Sequence, residues 1–151
     1  MKVRVLSIVF LATLMAQVVP GQTIPKQVTQ YLNRNFSGWK IAGECYEKDN
    51  KQIVSGDFDG NGKRDYALKF SRGERGFMMA FLGIRKGYKP FYLHFYSADD
   101  ARLSDLMLFE KGKGYEFSGP SKLKYDAVAD FRCESDSGGL HVYRNGKFLS
   151  Y

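Results

Sequence analysis

The sequence predicts an α+β protein that is mainly β: an N-terminal helix packed on an antiparallel β-meander. Three observations point there. Val28, Tyr31, Leu32 and Phe36 recur at helical spacing, so one stripe of a single early segment is apolar. Beyond Gly38 the pattern changes to short runs with period-2 alternation, of which Tyr66, Leu68 and Phe70 on one face, with Ala67 and Lys69 on the other, form the clearest. Turn residues separate these runs, and Asn145-Gly146 is the strongest hairpin signal because both residues accept positive φ.

The N-terminal stretch is expected to lie outside the fold. Lys2 and Arg4 precede a nearly continuous apolar run from Val5 to Val19, short for a membrane span and the length of a signal-peptide core. Cleavage is expected after Gly21, giving residues 1–21 as signal peptide and 22–151 as one domain. The destination is then secreted or periplasmic, with no membrane span after cleavage. Two cysteines in an exported chain predict a Cys45–Cys133 disulfide.

The chain carries a formal charge of +7, which falls to +5 without Lys2 and Arg4. Its basic residues, among them Lys40, Lys69, Arg72, Arg85, Lys122 and Arg144, are scattered and interleaved with acids, which reads as a solvated surface. No tract of the kind that grips nucleic acid is present.

Each element follows from local pattern. Thr23 is placed to cap the helix, Pro25 fits its first turn, and Ser37-Gly38 ends it. Trp39–Glu47 and Gln52–Gly56 read as strands. Phe77–Arg85 and Phe91–Tyr96 read as a hairpin joined through residues 86–90. Ser97–Leu103 is polar, a loop or a short helical turn. Leu106–Glu110 and Tyr115–Ser118 form another hairpin candidate. In Tyr125–Glu134, Ala127, Ala129 and Phe131 share a face. Leu140–Tyr143 and Phe148–Tyr151 flank the Asn145-Gly146 turn.

The most specific stretch is the loop between the second and third strands. Counting Asp57 as position 1, side-chain oxygens fall at positions 1, 3, 5 and 9: Asp57, Asp59, Asn61 and Asp65. Lys63 at position 7 would offer its backbone carbonyl, and Gly60 and Gly62 allow the tight turn. Such a cage suits Ca²⁺, a hard cation that takes several oxygens. It is not an EF-hand, because position 12 is Leu68 and the flanks read as strands.

The strand–loop–strand setting with D-x-D-G-N-G-x-x-D resembles the FG-GAP (integrin α-type) calcium loop, also seen in bacterial VCBS-type repeats. The resemblance covers roughly residues 55–70. It implies Asp57, Asp59, Asn61, Asp65 and the Lys63 carbonyl as ligands of Ca²⁺, in a calcium-binding hairpin loop. More weakly, Asp126-Ala127-Val128 and Tyr143–Phe148 look like closing strands of small exported bacterial proteins with one such loop. A single copy in this length cannot build a propeller of several four-stranded blades, so the adhesive role does not transfer.

No catalytic constellation stands out in the sequence. His94 and His141 sit in apolar strands with no short metal-ligand spacing, and no G-x-S-x-G elbow occurs. Asp99-Asp100 reads as a solvated loop, and Ser135–Gly139 as a turn. The expected function is an exported, calcium-binding, non-enzymatic binding module, its partner an unknown protein or envelope ligand. The alternative is a small exported hydrolase or enzyme inhibitor acting at the cell envelope.

Overall fold

The computed structural model describes residues 23–43, 51–113, 120–133, 135 and 137–151. The predicted signal peptide, Cys45 and the expected 115–118 strand lie outside the described residues.

The chain is mainly β, in two antiparallel sheets. The first described element is α1 (Lys26–Asn35). Its N-cap is Pro25 with no side-chain cap, so the predicted capping by Thr23 does not occur. The first sheet holds β1 (Lys40–Ile41), β2 (Ile53–Gly56), β3 (Asp65–Arg72), β4 (Arg75–Ile84) and β5 (Gly87–Ser97). β1 and β2 share one edge of β3, and β4 and β5 extend the sheet on the other side. After α2 (Ala98–Arg102), the second sheet runs β6 (Ser104–Phe109), β7 (Ala127–Arg132), β8 (Gly138–Arg144) and β9 (Lys147–Ser150) in simple order.

Two stacked sheets therefore replace the predicted single meander. The reason lies in β3 and β4, which are apolar on both faces. Leu68, Phe70, Phe77, Met79 and Phe81 pack under Val28 and Leu32 of α1 and its C-cap residue Phe36. Ala67, Met78, Ala80 and Leu82 on the opposite face need a second cover, which Leu106 and Val128 of the second sheet supply. Burying both faces withdraws far more apolar area than a helix on one side achieves. The outer face of the second sheet carries a smaller cluster of Leu123, Ala127, Ala129 and Leu140.

Three local features set the geometry between the sheets. The β4–β5 hairpin turns at Arg85-Lys86, tighter than the expected five-residue link, and β5 starts at Gly87. Its register shifts between Met78 and Met79, where Leu93 is the extra residue on β5. That bulge turns both Leu93 and His94 toward the second sheet and leaves Tyr92 and Phe95 on the helix side. α2 is capped by Ser97, whose Oγ accepts the Asp100 N–H at 3.0 Å. It seats against Gly76, where a Cβ would lie 2.5 Å from the Ala101 Cβ. The β8–β9 turn has Asn145 at φ 51° and Gly146 at φ 83°, the positive-φ pair that its sequence predicts.

Candidate metal centre and the cleft between the sheets

Residues 57–64 close the hairpin between β2 and β3, which pair from Ile53↔Leu68 to Gly56↔Asp65. The fold brings one carboxylate oxygen from each of Asp57, Asp59 and Asp65 within 4.8 Å of the others. Short side chains at alternate loop positions produce that convergence. Asp57 Oδ2 accepts the Gly62 N–H at 3.0 Å, Asp59 Oδ1 accepts the Asn61 N–H at 3.1 Å, and Asn61 Oδ1 accepts the Lys63 N–H at 2.8 Å. The bonds of Asp59 and Asn61, each to the N–H two residues on, are Asx turns, the local bonds that Asp and Asn favour, and that of Asp57 closes the loop over five residues. Gly60 (φ 76°) lies under Tyr125, where a Cβ would come 2.0 Å from the ring.

The five predicted ligands are not equivalent. Asp65 is fully buried and rigidly held: its Oδ1 accepts the Gly83 N–H at 2.6 Å and its Oδ2 the Phe58 N–H at 2.7 Å. Burial pushes its pKa up to about 6 against those two bonds, and the charges of Asp59 and Asp57 add to the rise. Asn61 donates its amide to Asp59 Oδ2 at 3.0 Å and to the Gly83 carbonyl at 2.8 Å. Lys63 follows in the same turn.

The donor set fits a hard cation. Asp57 Oδ1 is buried and has no hydrogen-bond partner among the described residues. An orphaned carboxylate oxygen beside two more carboxylates is costly unless a positive charge meets it. Asp57, Asp59 and Asp65 would hold such an ion, with Asn61 Oδ1 and the Lys63 carbonyl in reach of the same turn by sequence position. The ion would neutralise the cluster and stiffen the hairpin.

Sequence reasoning missed two supports of this loop. Asp126, just before β7, accepts the Asp57 N–H (2.9 Å) and the Lys111 N–H (2.9 Å), and its own N–H donates to the Asp57 carbonyl. The loop is thereby tied to the second sheet. Gly83 meets Asp65 from β4, where a Cβ would sit 2.9 Å from the Arg64 carbonyl.

A second polar cluster lies between the sheets at the opposite end of that layer. Lys69, which the sequence places on a solvated surface, is fully buried. The face it shares with Ala67 is covered by the second sheet. Its Nζ donates to the Ser104 carbonyl at 2.7 Å and to Ser104 Oγ, and sits 4.6 Å from the centre of the Tyr96 ring. The Tyr96 hydroxyl donates to Asp130 Oδ2 at 2.7 Å. His141 Nε2 lies 3.2 Å from Asp130 Oδ1, and its Nδ1 lies 2.9 Å from Ser150 Oγ. Both ring nitrogens of His141 are thus partnered within the fold.

The charges in this cluster hold one another in place. Burial drives Lys69 down to about 8, partly offset by Asp130, Asp105 and Asp100. Burial opposes ionisation of Asp130, but hydrogen bonds from His141 and Tyr96, with the charges of His141 and Lys69, hold its carboxyl below the usual range. Burial and the adjacent Asp130 raise Tyr96. Beside the cluster opens a cleft of about 510 Å³, lined by His94, Tyr96, Ser97, Asp100, Ser104, Asp130 and Arg132 among others. Asp100 is exposed as expected, but it sits on α2 rather than in a loop: its carboxylate accepts from Ser97 Oγ at 2.8 Å and faces Arg132 at 3.4 Å on the cleft wall.

Lys69 gives a pH prediction. Its folded pKa lies below its ordinary 10.5, so the folded state binds this proton less tightly than the unfolded state. The penalty is present in full below about 8 and is relieved as pH rises toward 10.5, so stability rises with pH through that window. The pair of values corresponds to roughly 3 kcal/mol in full. Above pH 10 the raised Tyr96 slopes the other way. Denaturant melts from pH 8 to 10 are expected to show the rise, and Lys69→Met is expected to flatten it.

Comparisons with protein-family models, curated proteins and solved structures give no match. Among the described residues no helix is long and apolar enough to cross a membrane.

Proposed function

We propose that the chain is an exported binding module braced by Ca²⁺, with its ligand seated in the cleft between the two sheets. The observation that carries the metal is the orphaned, buried Asp57 Oδ1 among three converging carboxylates. An all-oxygen set on a Gly-rich turn favours Ca²⁺ over the softer transition metals. The likeness to FG-GAP and VCBS-type loops supports the same ion, and the signal-peptide pattern supports export to a compartment where calcium is plentiful.

The loop acts as a brace rather than as the binding face. It ties β2, β3, the β4 end at Gly83 and, through Asp126, the second sheet. The cleft lies at the other end of the inter-sheet layer, where polar and aromatic side chains converge around about 510 Å³, a size that suits a small ligand or a projecting side chain of an envelope partner. The same account includes the Cys45–Cys133 disulfide. Cys133 is not a free thiol, and its N–H donates to the Leu103 carbonyl beside the cleft.

Thermal melts test the metal. At a hundredfold excess over its dissociation constant, a native-state ligand adds about 2.7 kcal/mol. For a domain of this size that is a rise in Tm on the order of 10 °C. Ca²⁺ is expected to raise Tm by that amount, EDTA to reverse it, and Mg²⁺ to do less. Identical melts in Ca²⁺ and EDTA would exclude the brace.

A further inference from the structure

We infer that Ser104 and Lys69 form a serine–lysine pair able to transfer an acyl group from a small ester or amide bound in the cleft. The inference rests on the proposed function only in taking the cleft as the ligand's seat. It does not depend on the metal loop.

Four observations converge on it. Lys69 Nζ contacts Ser104 Oγ directly. Ser104, itself buried to 4% exposure, borders the cleft, while Lys69 is fully buried beside Tyr96 and is not among the cleft-lining residues, so of the two groups the serine lies nearer to a compound in the cleft. α2, seated on Gly76, fixes the approach, because Ser104 Oγ also donates to the Asp100 carbonyl at 3.2 Å across the last turn. Finally, a lysine at an inward strand position between two apolar sheets carries a desolvation cost that a methionine there would avoid. Its pKa of about 8 leaves a usable share of neutral amine near neutral pH.

The charged groups facing Lys69 are Asp100 from α2, Asp105 from β6 and Asp130 from β7, with Tyr96 from β5 at its side. His141 from β8 faces Asp130 rather than the amine. The three aspartates keep the amine from losing its proton altogether, and the burial keeps it from holding that proton too tightly.

The step balances as follows. In the protonated form the ammonium donates to Ser104 Oγ. After loss of one proton the bond reverses, and Oγ–H donates to the neutral amine. Oγ attacks the carbonyl carbon as its proton passes to Nζ, forming the O–C bond. The bond from carbon to the leaving group then breaks, and the leaving group takes the proton from Nζ. Water, giving a proton to the neutral amine, attacks the acyl-serine, and the released Oγ recovers a proton from Nζ.

The test uses the full mature chain and an alkyl fluorophosphonate. Intact-mass and peptide analysis are expected to find one adduct per chain, on Ser104. For a base of pKa about 8, labelling is expected to run about tenfold faster at pH 9 than at pH 7. Ser104→Ala is expected to abolish the adduct with an unchanged fold, and Lys69→Met to slow it by at least about a hundredfold. Labelling that is independent of pH, or that persists in Ser104→Ala, would overturn the pair. Amide and ring NMR shifts at His94 and Tyr96 separate the two readings. Shifts on adding the probe without a Ser104 adduct would overturn the pair and leave the cleft as a binding seat. Neither shifts nor adduct would overturn both.

Discussion

Asp130→Ala is expected to destabilise the protein by about 3–5 kcal/mol, the range for removing one partner of a buried charge cluster. The carboxylate is the hub between the sheets. Its loss leaves the Tyr96 hydroxyl without its 2.7 Å acceptor, His141 Nε2 without its partner at 3.2 Å, and the fully buried Lys69 with one fewer counter-charge. Asp130→Asn keeps the shape and one acceptor, so its cost is expected to be smaller. Urea unfolding of the two variants beside the wild type checks the order. Equal, small losses would mean that the hub is solvated rather than buried.

Asp65→Ala is the second large effect. The side chain accepts from two backbone N–H groups, those of Phe58 and Gly83, in a fully buried place. Each orphaned donor costs about 1–3 kcal/mol, so the pair gives roughly 2–6 kcal/mol. Removing a carboxylate that burial has already pushed up to about 6 offsets a part of this at neutral pH. Asp65→Asn keeps one acceptor, turns an amide donor toward the other N–H, and is expected to fall between. Both variants lose one of three charges in the proposed cation cage. Their Tm is therefore expected to respond little to Ca²⁺, whereas that of the wild type is expected to rise. A full response in Asp65→Asn would place the ion elsewhere.

The acidic loop was legible because its chemistry is local. Asp57, Asp59 and Asp65 converge through turn bonds spanning two to seven residues, and Gly60 and Gly62 take the positive φ that their position requires. The Asn145-Gly146 hairpin was legible for the same reason. The inter-sheet cluster was not. Period-2 alternation places Ala67 and Lys69 on one face of β3, but it does not say what covers that face, and a lysine there reads as solvent-facing. Asp130 and His141 meet across neighbouring strands of the second sheet, but Tyr96 comes from the first sheet, 34 residues from Asp130, and only the stacking of the sheets brings it there. The bulge at Leu93 is equally silent in the sequence, yet it turns His94 toward the cleft.

The second sheet shows how a single-meander expectation fails. An amphipathic helix and strands with one apolar face predict two layers. β4 reads Phe77-Met78-Met79-Ala80-Phe81-Leu82, apolar at every position, and such a strand is buried on both faces. Ser97–Leu103, expected as a loop or short helical turn, is the corner at which the chain passes from one sheet to the other.

The proposed brace is tested most directly by calorimetric titration of Ca²⁺ into EDTA-stripped protein. The account predicts one ion per chain, with a dissociation constant of about 10⁻⁴ to 10⁻³ M, the range of extracellular calcium modules, and no binding heat in Asp57→Asn. A wild-type titration without binding heat, from protein that also carries no ion by native mass spectrometry, would contradict it.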